Sequence, residues 1–83
     1  MLLEMTYKNK MIVKVVSFIP YLDIIQEEYY LEQTLSIGEF LVTLGLKWDE
    51  DALVVVNRVI CSDEAKKLQD GDVIELLIPL SGG

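Results

Sequence analysis

Histidine is absent from the 83 residues, cysteine occurs once, proline twice, and only seven side chains are cationic against fourteen acids. Without histidine the chain lacks the commonest metal ligand and the commonest general base. The acidic residues at 49–51 show no metal-ligand spacing, so no bound cofactor or metal is expected, and the chain is not expected to be an enzyme on its own. A net charge of −7 opposes binding to phosphate backbones, which requires clustered lysine and arginine. One cysteine cannot close an internal disulfide, which points to a reducing compartment. The first ten residues include Glu4 and hold no apolar run of secretory-signal length. Nowhere does the sequence approach the roughly 18 uninterrupted apolar residues of a membrane span. The reading is a cytoplasmic protein with neither a nucleic-acid nor a membrane partner.

What is present is a large apolar share, 52% of the residues. A chain this short forms one domain near the lower size at which a single core holds a fold. It cannot bury that much apolar surface in one core, so part is expected to face a partner.

Residues 1–10 are read as an N-terminal extension. Leu3, Met5 and Tyr7 alternate with Glu4 and Thr6 as in a strand, while Met5 and Met11 both remain plausible starts. Residues 11–18 are β-branched and apolar around Lys14, the composition of a strand. Alternation sends Val13 and Val15 to the core and leaves Ile12, Val16 and Phe18 on the face of Lys14. Pro20 stops this strand. Residues 21–26 suggest one helical turn, and 27–31 a second, acidic strand with Tyr29 and Tyr30.

Residues 34–46 are expected to form the one main helix. Ser36-Ile37-Gly38-Glu39 has the pattern of a capping box, with Leu35 and Phe40 at the staple positions. Ile37, Phe40, Leu41 and Leu44 recur on one face, and Gly45 provides a left-handed stop. Gly38 in the first turn weakens a helix by about 0.5–1 kcal/mol relative to alanine, so something is expected to pack closely against it. Residues 52–56 read as a strand, Asn57-Arg58 as a tight turn, and 59–61 as a short strand. After an irregular connection over 62–69, Asp70-Gly71 signals a turn and 73–78 a closing strand. One helix covering one face of such a sheet is an α+β arrangement.

Some residues have bland readings. Cys61 is expected as a small buried hydrophobe rather than a persulfide relay, and Lys66 and Lys67 as a solvated pair rather than attachment sites. Trp48 is either an interface anchor or a cap on the helix end.

The ending Pro79-Leu80-Ser81-Gly82-Gly83 is different. Two consecutive glycines lend the backbone freedom without helping a fold, and at glycine's usual frequency of about 7% a final pair arises by chance in roughly 0.5% of chains. A frayed terminus is the bland explanation. The alternative is a tail, residues 81–83, that threads a carboxylate through a gap too narrow for any side chain.

The strand order, together with Leu68-Gln69-Asp70-Gly71-Asp72-Val73-Ile74-Glu75 through Gly82-Gly83, resembles the ubiquitin-like sulfur carriers of the β-grasp fold. Among these are the small subunit of molybdopterin synthase and the sulfur carrier of thiamine biosynthesis. The resemblance covers residues 11–83. Leu35, Phe40-Leu41 and Leu44-Gly45-Leu46 look like the family's helix, and Val54-Val55-Val56-Asn57-Arg58 like its central strand and turn. The implied fold is a mixed sheet of four to five strands on one helix over 11–80.

The resemblance implies a carrier cycle. A separate ATP-dependent activating enzyme adenylates the carboxylate of Gly83, and a sulfur donor displaces AMP to leave a thiocarboxylate. The loaded tail, with Ser81 and Gly82, then threads into a partner: the large subunit of molybdopterin synthase, or thiazole synthase. Ile12, Val16, Phe18, Leu77, Pro79 and Leu80 are the expected docking residues. Pro79 before the tail and the short run from Arg58 to Leu68 are similar to the molybdopterin branch; Leu80, Ser81 and the N-terminal extension depart from its usual pattern. A thiamine or tRNA-thiolation carrier, a protein modifier and a plain ubiquitin-like interaction module are the alternatives.

Overall fold

The computed structural model describes residues 11–20, 27–48 and 50–79. The strand reading of residues 1–10, the helical turn over 21–26 and the tail from Leu80 onward lie outside the described residues. Five strands and one helix follow in the order β1 (Met11–Ser17), β2 (Glu28–Leu31), α1 (Ile37–Thr43), β3 (Leu53–Val56), β4 (Val59–Ile60) and β5 (Val73–Leu77). They make one mixed sheet ordered β2-β1-β5-β3-β4. The closing strand β5 lies in the middle, parallel to β1 and antiparallel to β3. This is the β-grasp architecture.

Alternation in β1 works as its composition demands. Val13 and Val15 are fully buried, while Ile12, Lys14 and Val16 point to the other face. On the core side Val54, Val56, Ile74, Leu76 and Leu68 pack with Ile37, Phe40 and Leu41 of the helix. Phe40 meets Tyr29 of β2 edge-to-face at 5.4 Å between ring centroids, a favoured arrangement of ring quadrupoles.

The helix is shorter than the periodicity of 34–46 suggests, because its flanks are engaged in other bonds. Before it, Leu35 accepts a hydrogen bond from the Leu68 amide, and Ser36 bridges to Lys67 in antiparallel fashion. Ser36 is therefore extended, with φ −80° and ψ 163°, and caps rather than continues the helix. Its hydroxyl accepts from the Glu39 amide at 3.1 Å and the Glu39 carboxylate accepts from the Ser36 amide at 2.9 Å. That second bond, chiefly, holds the Glu39 carboxyl below its ordinary pKa, with Lys67 contributing in the same sense. At the other end Gly45 takes φ +81°. The Gly45 amide donates to Val42 and the Leu46 amide to Leu41, the paired bonds of a Schellman stop.

The close packing expected at Gly38 comes from the connection between β4 and β5. The Ile37 and Gly38 amides donate to the carbonyls of Lys66 and Glu64, satisfying two of the donors a helix start leaves open. A Cβ on Gly38 would sit 3.0 Å from the Glu64 carbonyl oxygen and 3.1 Å from its Cβ. Gly38→Ala is thus expected to lose about 1 kcal/mol in urea unfolding, the steric conflict outweighing alanine's helix propensity. A stabilised variant would show that the connection yields freely.

The Asn57-Arg58 turn joins β3 to β4 with φ +52° and +71°, positive at both central residues as a two-residue hairpin requires. One reading here needs adjustment. The strand ends at Ile60, so Cys61 follows it and is half-buried instead of buried. Trp48 packs partly buried against the core cluster.

Candidate functional site

The sheet has two faces and only one is covered by the helix. The outer face carries Tyr30 of β2, Ile12 and Val16 of β1, Val73, Glu75 and Leu77 of β5, Leu53 and Val55 of β3 and Ile60 of β4, by alternation and register. Ile12 is 38% exposed, Val16 40% and Phe18 55%; Leu77 and Pro79 are half-buried. The composition predicts such a surface, since more apolar side chains are present than one side of five short strands can hide. Of the expected docking residues, the structure brings Ile12, Val16, Phe18 and Leu77 onto this face. Leu80, Ser81, Gly82 and Gly83 lie outside the described residues.

The geometry also fixes where the tail departs. Phe18 donates its amide to Leu76 at 2.8 Å, so β5 runs out beside the end of β1, at the edge where Phe18 and Leu77 stand. The last described residues, Ile78 and Pro79, continue from that edge, and Ile78 is exposed.

The position of β5 is held by a polar clasp not legible in the residue order. Asp72 is 7% exposed. Its carboxylate accepts from the Asn57 side-chain amide at 2.9 Å and from the Gln69 backbone amide at 2.8 Å. Asn57 Oδ1 in turn accepts from the Val73 amide at 2.9 Å. Next to it, Asp70 accepts from the Ile12 amide at 2.8 Å, tying the same turn to β1. The only signal in the sequence was that both turns carry Asn or Asp, residues that bond to nearby backbone; their pairing across 15 positions is tertiary.

The other candidates form no second site. Cys61 borders a shallow groove of about 380 Å³ with Val59, Ile60 and Lys66, and its thiol donates to the Asp63 carbonyl at 3.5 Å. Lys66 and Lys67 are exposed. Among the described residues no cluster of acids and cysteine is placed to hold a metal ion, and no helix is long and apolar enough to cross a membrane.

With this geometry in hand, comparison with known proteins is decisive. The model of the ThiS family matches residues 15–83, most of the chain and all of the sheet but the first residues of β1. The chain belongs to the ThiS family. It is a ubiquitin-like sulfur carrier of the type to which ThiS and the small molybdopterin-converting subunits belong, small proteins that are not themselves catalysts. Among solved structures it is similar to a chain in the complex of subunits 1 and 2 of molybdopterin-converting factor from Helicobacter pylori. The identity there is 29% and the TM-score 0.59, covering 88% of this chain and 100% of that one. It also shares its fold with the thiamine biosynthesis protein ThiS from Geobacter metallireducens, at 22% identity and TM-score 0.62 with the same coverage. No curated protein sequence matches it significantly.

Proposed function

We propose that this ThiS-family carrier delivers sulfur as a thiocarboxylate on Gly83, and does so in the molybdopterin branch. The observation behind the proposal is the placement of β5. The strand leading to Ser81-Gly82-Gly83 is central in the sheet and runs out beside the end of β1, so one docking event on the face opposite the helix would bury Ile12, Val16, Phe18 and Leu77 and present the tail.

A carboxylate is a poor electrophile and needs activation before sulfur can be attached to it. In the proposed cycle a separate activating enzyme joins the Gly83 carboxylate to the α-phosphate of ATP, releasing pyrophosphate; sulfur supplied at the oxidation level of hydrosulfide then attacks the Gly83 carbonyl carbon, AMP leaves, and the thiocarboxylate remains. ATP is used by that enzyme and not bound by the carrier, and the exchange runs in the cytoplasm. Gly82 and Gly83 let the chain pass where a Cβ would collide. Pro79 and the short connection after Arg58 favour the molybdopterin branch, as does the 29% identity to a chain of the converting-factor complex.

Loaded carrier mixed with the large subunit of molybdopterin synthase, or with thiazole synthase, from the same genome tests the branch. Sulfur transfer is expected with the first; transfer to the second alone would assign the protein to thiamine synthesis. Ile12→Asp should weaken binding to the accepting subunit at least about tenfold and cost affinity more than stability, because a charge would then be desolvated on docking. Unchanged affinity would remove the sheet from the interface.

A further inference from the structure

Among the described strand residues the outer face is apolar except at Lys14, Glu28 and Glu75, and their register separates them. Lys14 stands directly opposite Glu28 of β2, at the spacing where cross-strand charges of opposite sign interact. Glu75 is placed differently. Its neighbours across the sheet are Val16 on β1 and Val55 on β3, and along its own strand Val73 and Leu77 lie two residues to either side on the same face. Val55, between Glu75 and Ile60 in the register, is only 9% exposed. The Glu75 carboxylate therefore rises, half-buried, from the middle of an apolar patch. Lys14 reaches it only along the diagonal, a longer path than the one to Glu28.

A protein docking on this face removes the water above Glu75. An ionised carboxylate stripped of water without a counter-charge is heavily penalised, whereas one met by a well-placed cation is retained and makes the interface selective. We propose that the protein covering this face carries an arginine or lysine at the centre of an otherwise apolar patch, paired with Glu75, and that Glu75 thereby decides which partner the carrier accepts. Arginine suits the position better, since its guanidinium is less strongly hydrated and meets a carboxylate with two parallel bonds. The inference rests on the docking reading above and adds to it the chemistry of the partner.

The test is calorimetric titration of the native carrier, Glu75→Gln, Glu75→Lys and Ile12→Asp into the purified large subunit of molybdopterin synthase from the same genome, at low and high salt. If that subunit shows no binding, thiazole synthase takes its place. Glu75→Gln is expected to weaken binding roughly tenfold or more, and Glu75→Lys further, with melting temperatures close to native. The native affinity should fall more steeply with salt than that of Glu75→Gln. Substituting the partner's facing cation by glutamate should restore binding to Glu75→Lys. If Glu75→Gln binds as tightly as the native protein, or more tightly, the proposed pairing is wrong although the docking reading stands. If Ile12→Asp binds like the native protein, or neither subunit binds the native carrier, the docking reading itself fails and the pairing falls with it.

Discussion

Asp72→Ala is expected to lower the stability of the domain by about 1–3 kcal/mol. The side chain is 7% exposed, and both carboxylate oxygens are used, one by the Asn57 side chain and one by the Gln69 amide. Alanine would leave both donors without the carboxylate; Asn57 and Gln69 are exposed, so water replaces part of what is lost, and the remaining cost is that of two bonds to a charged acceptor. The loss is large against the roughly 4–12 kcal/mol that a domain of this length possesses in total. Asp72→Asn keeps one accepting oxygen and should recover part of the loss. Urea denaturation measures both; a change below about 1 kcal/mol for alanine would show that solvent or local rearrangement replaces the clasp.

The second large effect is functional. A single residue appended after Gly83 is expected to abolish activation of the carrier while leaving its melting temperature unchanged. The proposed acceptor of adenylate is the Gly83 carboxylate itself, and an added residue moves the carboxylate one peptide unit away from it and puts a side chain where none is admitted. Gly83→Ala, which adds one methyl group and keeps the position of the carboxylate, should slow activation and not stop it. Deleting Gly82 and Gly83 should likewise leave stability within about 1 kcal/mol, because the tail is proposed to bury nothing in the free protein. A stability loss larger than that would make the tail part of the fold. Thiolation of the extended protein at the native rate would detach Gly83 from the chemistry.

What could be read in advance follows the range of the interactions. The capping box at Ser36 and Glu39, the left-handed stop at Gly45, the hairpin at Asn57-Arg58 and the alternation of Val13 and Val15 against Ile12 and Val16 are set by residues a few positions apart, and all appear in the structure. The helix starts later than its periodicity suggests because Leu35 and Ser36 bond to residues 67 and 68, far along the chain. The same distance hid the Asn57–Asp72 clasp and the apolar setting of Glu75, which exists only once β1, β5 and β3 lie side by side. The apolar outer face was legible as an excess of apolar residues with nowhere to go, and its members on β1 from period-two alternation alone. Cys61 differs from its reading in a modest way: Ile60 ends the two-residue β4, and Cys61 follows it half-buried, its amide still bonded to Val54.

The carrier cycle has one direct observable, the intact mass of the native protein after incubation with ATP, an activating enzyme from its source and a sulfur donor. The account expects one oxygen replaced by sulfur, with fragmentation placing the change on Gly83 and omission of ATP preventing it. An unchanged mass with every activating enzyme of the source organism, or sulfur added at Cys61 in place of Gly83, would contradict it.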